Sequence, residues 1–262
     1  MSIKSKVFAA AATLTLVGGA GAVGALAAGT AGAATPSAGN NAKDFFNDDF
    51  GTFASANFLL DTYKQGQKVG QPQILYRISN SDPAEDYTIS DQGPVSDFYT
   101  AKLVSAAVAL HYGGLGCQSG YLPGPPSSCA NKFPDLEAYE IEYSPYGVDS
   151  GLCTGVAATA TAGEKVTLQP CGATPRTVWI IDAANDDVTD TGAVAPLING
   201  SDTNFSEPFV LTYPMYSYPT DMPRAELYVT NLTGSVDVNY YPVLNTVNDQ
   251  QLWGEDTGPV MP

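Results

Sequence analysis

Apolar residues in this chain come in short runs separated by turn formers. Ile74-Leu75-Tyr76-Arg77, Tyr139-Glu140-Ile141-Glu142-Tyr143 and Phe209-Val210-Leu211-Thr212-Tyr213 have the length and the β-branched or aromatic content of strands. No long segment carries a helical stripe. Lys102 to Leu110 is rich in helix formers, but it stands between Gly93-Pro94 and Gly113-Gly114 and aligns with runs that cannot be helical, so a strand is predicted there too. The prediction is an all-β fold.

The three runs look alike, and each is read as opening a unit. Some ten to fourteen residues on come Pro83 to Ile89, Gly151 to Val156 and Pro223 to Val229, the first and third sharing Ala-Glu-x-Tyr. From Asp86 to Tyr112, from Cys153 to Trp179 and from Leu227 to Trp253 the interval is 26 residues each time. Strands that share a core keep register while surface loops drift, so such spacing implies repeated β-units. Tyr112, Trp179 and Trp253 are then predicted to be equivalent buried aromatics around a pseudo-threefold axis. Three units closing in this way make a barrel capped by hairpins.

Composition agrees with a folded β domain. Hydrophobic residues are 44% and charged residues 15% of 262, too apolar for a disordered chain, and 26 glycines with 19 prolines break up any helical bundle. Lys+Arg 11 against Asp+Glu 27 gives a formal charge of −16. A polyanion would be repelled, so nucleic acid is excluded as a partner. With one histidine, His111, a multi-histidine metal site cannot be built and a His-based triad would hang on that residue. No Gly-x-Ser-x-Gly nucleophile motif is present. The expectation is a protein that is not an enzyme and needs no metal or cofactor.

The first 34 residues read as a signal peptide: Lys4 and Lys6, an uncharged stretch from Val7 to Ala28, then the small-x-small motif Ala31-Gly32-Ala33. Its removal would leave 9 cations against 27 anions, a formal charge of −18, on a secreted, extracellular protein without membrane attachment. Residues 35–44 form a polar leader, and 45–262 a single domain with units at about 45–114, 133–185 and 196–257. Four cysteines in a secreted chain imply two disulfides, and proximity favours Cys117 with Cys129 and Cys153 with Cys171.

Cys153-Thr154-Gly155-Val156, then Gly163-x-x-Val166-x-Leu168-x-x-Cys171, then Thr177-Val178-Trp179, resembles the repeat of ricin-type lectins, and Gln251-Leu252-Trp253 matches its Gln-x-Trp ending. The resemblance implies a β-trefoil. It also implies a sugar pocket made of an Asp two residues after the first Cys, a downstream aromatic platform and an Asn before Gln-x-Trp. A carboxylate accepts paired hydroxyl hydrogen bonds while a ring covers the apolar face of a sugar. Aligned on the repeat above, the Asp positions carry Thr88, Gly155 and Val229, and the Asn positions Ala109, Arg176 and Gln250. None of the first three is a carboxylate. Only the third unit keeps an amide, so any sugar site is expected around Tyr240, Tyr241 and Gln250, with Asp249 or Asp237 supplying the acid.

Two further features have ordinary readings. Tyrosines cluster in 139–146, 213–218 and 240–241, where they either fill the barrel or present rings for saccharide or protein binding. The acidic run Asp182 to Asp190 lacks the spaced Asp-x-Asp-x-Asp-Gly form of a calcium loop and reads as a solvated turn. The functional expectation is a secreted carbohydrate-binding module. The alternative is a trefoil directed at an extracellular protein.

Overall fold

The computed structural model describes residues 44–47, 58–77, 82–114, 135–172, 174–182, 187–189, 192–214, 225–237 and 241–256. By its contacts the chain divides into Met1–Ala33 and Ala34–Pro262, and the described residues lie in the second body. The predicted signal peptide, Cys117 and Cys129 lie outside the described residues.

The first unit contributes β1 (Asp44–Asn47), β2 (Phe58–Thr62), β3 (Gln73–Arg77) and β4 (Tyr87–Pro94), followed by helices α1 (Val95–Thr100) and α2 (Ala106–Tyr112). The second contributes β5 (Glu137–Tyr143), β6 (Leu152–Val156), β7 (Val166–Pro170) and β8 (Val178–Ile181). After β9 (Asp187–Thr189) come β10 (Gly192–Ala195) and β11 (Ile198–Asn199), then β12 (Phe209–Thr212), β13 (Ala225–Glu226), β14 (Tyr228–Asn231) and β15 (Trp253–Asp256).

The pairings repeat three times. In each unit the second strand forms an antiparallel hairpin with the third: β2 with β3, β6 with β7, β12 with β14. The first strand of each unit meets the second at one place, Phe46 opposite Leu59, Glu142 opposite Cys153, Ile198 opposite Val210. The staves are the first and fourth strands, β1, β4, β5, β8, β15 and the successive β10 and β11 taken as one, linked β1 to β15, β15 to β10, β11 to β8, β8 to β5 and β5 to β4. Six staves with three capping hairpins make a β-trefoil.

Register identifies the equivalent positions. Tyr87 pairs with Tyr143, Trp179 with Asn199 and Trp253 with Asn47, each one residue beyond the junction just described. The three rings are 0–1% exposed and lie in one core cluster, beside Leu60 and Leu211 of the second strands and Leu75, Leu168 and Val229 of the third. Each indole N–H donates to a second-strand carbonyl, Trp179 to Thr154 at 2.9 Å and Trp253 to Leu211 at 3.0 Å. Tyr87 instead joins its hydroxyl to Thr62 and Gln73, at 2.9 and 2.8 Å.

These facts correct the repeat as the sequence suggested it. The three look-alike runs are not equivalent, since they form the third, first and second strands of their units. Tyr112 is buried but ends α2 in a different core cluster, where its hydroxyl donates to Asp202 at 3.3 Å; Tyr87 holds the place predicted for it. The true second-to-fourth-strand intervals are unequal, 59 to 87, 153 to 179 and 210 to 253, so the constant spacing of 26 was a coincidence except in the middle unit. The strand predicted over Lys102 to Leu110 is also overturned. Ser105 caps α2 by accepting the Val108 N–H at 3.1 Å, and Val108, Ala109 and Tyr112 turn to the core.

The Cys153–Cys171 disulfide is present and ties β6 to the end of β7. In the acidic run, Asp187–Thr189 is strand β9, paired with β10, and Asp182 is 4% exposed; that part is not a solvated turn.

Candidate functional site

Each fourth strand is preceded by a 3-10 turn: Pro83–Glu85, Pro175–Thr177 and Asp249–Gln251. The last residues of these turns, Glu85, Thr177 and Gln251, are all buried. Facing them from the second strands are Asp61, Gly155 and Thr212, which share one register position. The place that carries the acid in ricin-type repeats is therefore Asp61, Gly155 and Thr212. Thr88 and Val229, assigned to it from sequence, stand in β4 and β14 instead, and Ala109 stands in α2 where Ala84 is the true counterpart. A carboxylate is present after all, in the first unit. The signal that could have found it is Glu85-Asp86-Tyr87 read as a degenerate Gln-x-Trp.

The three places are filled differently. In the second unit a Cβ on Gly155 would lie 2.6 Å from the Arg176 carbonyl oxygen, so the turn sits directly on the strand and leaves no room for a side chain. In the third, the Gln251 amide donates to Thr212 at 3.3 Å, Thr230 at 2.8 Å and the Asn231 carbonyl at 2.9 Å, while its oxygen accepts from Thr233. Both places are closed by the protein's own groups. In the first, Asp61 and Glu85 approach each other together with Asp82.

The residues expected to form a sugar site fall as follows. Tyr240 lies outside the described residues. Tyr241 is 4% exposed, with its ring in the core and its hydroxyl oxygen accepting the Asp182 N–H at 2.6 Å, so it offers no platform. Asp237 is exposed and accepts the Tyr241 N–H at 3.0 Å. Asp249 and half-buried Gln250 share the third turn, where the Gln250 carbonyl accepts from Tyr213 at 3.1 Å. The structure brings Asp237 and Tyr241 together, and Asp249 and Gln250 together.

An aromatic ring is presented elsewhere. Tyr146, in the turn Pro145–Gly147 after β5, is 76% exposed and sits at a φ of 59°, a left-handed conformation unusual for a bulky residue. Its N–H donates to the Asp86 carboxylate at 2.8 Å, which holds the strained turn in place. Burial pushes the Asp86 carboxyl up, the Tyr146 N–H pulls it down, and the Asp82 charge pushes it up again. Beside the turn, Asp149 accepts from Thr88 and from Ser144, both at 3.1 Å, and Thr88 and Ser144 are 2.7 Å apart. The result is an exposed ring on a turn whose backbone is held by Asp86, with the Thr88–Ser144–Asp149 hydrogen bonds in the same turn region. Sequence singled out the 139–146 tyrosines as a group; only folding separates exposed Tyr146 from buried Tyr139 and Tyr143.

His111 stacks on Phe205 at a centroid distance of 3.8 Å, and burial lowers its pKa. The ring packs against the barrel.

No family model matches the chain, and no curated protein does. Among solved structures it is similar to a designed threefold-symmetric protein, ThreeFoil, at 12% identity and a TM-score of 0.44, over 82% of this chain and 97% of that one. It is also similar to a mosquitocidal holotoxin at 11% identity and a TM-score of 0.45, over 84% of this chain. The match spans 17% of the holotoxin's length. The β-trefoil assignment rests on the threefold strand register of this chain.

Proposed function

We propose that this is a secreted, non-enzymatic binding module that takes carbohydrate at the Tyr146 face. The observation that carries the reading is a ring, 76% exposed, on a turn whose backbone N–H is held by the Asp86 carboxylate, with Asp149 three residues on held by Thr88. A ring of this kind covers the C–H face of a sugar while Asp86 and Asp149 accept its hydroxyls. A disulfide between β6 and β7 suits an oxidising, extracellular environment. No helix among the described residues is long and apolar enough to cross a membrane.

Calorimetric titration with simple galactosides and wall polysaccharides tests the site, using the parent, Tyr146→Ala, Asp149→Asn and Gln250→Ala. Loss of one stacked ring is expected to remove about 1–2 kcal/mol, roughly tenfold in affinity, with the fold intact. Gln250→Ala is expected to bind as the parent does. Loss of binding in Gln250→Ala alone would return the site to the third unit. Val148, 38% exposed two residues from Tyr146, favours a protein-directed surface as the second reading. Absence of saturable sugar binding by the parent, with Tyr146→Ala abolishing capture of one extracellular protein, would establish that alternative.

A further inference from the structure

The first unit holds a cluster that the carbohydrate reading does not use. Asp61 projects from β2, Asp82 caps the Pro83–Glu85 turn and Glu85 ends it. One carboxylate oxygen from each lies within 4.8 Å of the other two. Asp61 and Glu85 are 3% and 5% exposed, so these acids meet in a low-dielectric interior where like charges repel strongly.

A separate observation comes from β5. Tyr143 at its end is 0% exposed, yet its hydroxyl has no hydrogen-bond partner, which no other buried side-chain N or O shares among the described residues. An unmet buried hydroxyl calls for an explanation. Strand pairing sets Tyr143 against Tyr87, ring centroids 5.7 Å apart, and the Tyr87 hydroxyl is taken by Thr62 and Gln73. Tyr87 stands two residues beyond Glu85, and its hydroxyl partner Thr62 is the neighbour of Asp61, so the Tyr143 ring packs on the side chain that joins the two stretches carrying the acids.

We propose that Asp61, Asp82, Glu85 and Tyr143 form a binding site for a calcium ion. Calcium takes six to eight oxygens at about 2.3–2.6 Å, so its ligands span about 5 Å, whereas magnesium would need about 4 Å across a rigid octahedron. Mutual distances within 4.8 Å stay inside the calcium span, and three acids from two loosely joined stretches suit calcium's flexible shell better than magnesium's rigid octahedron. Asp82 is held by two donors to its Oδ1, the Gln65 side chain at 2.9 Å and the Ala84 N–H at 3.0 Å, which fixes its carboxylate beside the other two. Tyr143 adds a neutral oxygen and water completes the shell. The double positive charge offsets the carboxylates that burial otherwise penalises. The site lies where the second and third units close the same position with Gly155 and with the Thr212–Gln251 hydrogen bond.

The test uses protein stripped with EDTA and no sugar, so that it stands apart from the Tyr146 experiment. Calcium is titrated by calorimetry, and terbium by emission excited through tyrosine, for the parent, Asp61→Asn, Asp82→Asn, Tyr143→Phe and, as an exposed control, Asp97→Asn. One saturable site is expected in the parent and the control, at least tenfold weaker in Asp61→Asn and Asp82→Asn. Tyr143→Phe is expected to weaken binding several-fold. Calcium should raise the parent's melting temperature and leave that of Asp61→Asn unmoved. Should Asp61→Asn fail to fold, half-buried Asp82 carries the test. The proposal is overturned by no saturable calcium binding in the parent, as expected if Asp61 and Glu85 share a proton, or by binding that Asp61→Asn and Asp82→Asn leave unchanged.

Discussion

One register position takes three residues in this molecule, and each decides what its unit can do. Asp61, Gly155 and Thr212 face the last residue of the turn before the fourth strand. The acid gathers further oxygens, the glycine lets the turn close on the strand, and the threonine satisfies a buried amide. At Gly155 the contact is with backbone: a Cβ would stand 2.6 Å from the Arg176 oxygen and 3.0 Å from the Thr177 methyl. That oxygen also accepts the Asn199 amide at 3.0 Å, which pins the turn. Gly155→Ala is therefore expected to cost about 1–3 kcal/mol by overpacking, read as a lower urea midpoint at unchanged slope. A midpoint equal to the parent's would show that the turn gives way. In the sequence Gly155 was visible as a missing acid, while its steric reason was not, because Arg176 and Asn199 reach it only through the fold.

Helix α2 follows its local composition, against the strand that alignment with the other runs predicts. The sequence held the start signal, Ser105 ahead of Ala106-Ala107-Val108, and Gly113 at the other end. The Ser105 hydroxyl accepts the Val108 N–H, and Ser105→Ala is expected to cost about 1 kcal/mol, seen as a fall of a few degrees in melting temperature. The β6–β7 hairpin is the opposite case, where spacing alone pointed to the pair. Its disulfide closes a sequence separation of 18, for which the chain-entropy estimate is about 3 kcal/mol. Cys153→Ser with Cys171→Ser should lower stability by about that amount under oxidising conditions, and reduction of the parent should reproduce the loss. Equal stability with and without the bond would mean that β6 and β7 are held by their ladder and by Leu168 packing alone.

Across the molecule, acid groups are buried while the formal charge is −16. Burial raises the carboxyl pKa of Asp135, Glu140 and Asp202, against hydrogen bonds that lower it, from Ser96 for Asp135, from Thr177 and Gly172 for Glu140, and from Asn204 and Phe209 for Asp202. A carboxyl whose pKa is higher folded than unfolded binds its proton more tightly in the folded state. Its contribution is fully present below the unfolded value, about 4, and is lost as pH rises through the folded value. Lowering pH from 7 towards about 4.5 in EDTA should raise the melting temperature, and weaker self-repulsion adds to the effect. A monotonic fall over that window would mean that the hydrogen bonds outweigh burial.

Patterning by itself established a mostly β chain with turns between short strands, because alternation and turn chemistry are local properties. It also established the excess of acid, the Cys153–Cys171 pair and the importance of Trp179 and Trp253, whose indoles need burial wherever they occur. The phase of the repeat was decided by strand register, since unequal loops conceal which residues face each other. Only pairing reveals that Tyr87 matches the tryptophans and that Asp61 matches Gly155. The meeting of Asp61 with Asp82 and Glu85 was likewise a product of tertiary structure. Those oxygens come from two stretches of chain that the fold brings to one place, and no spacing along the sequence encodes their distance.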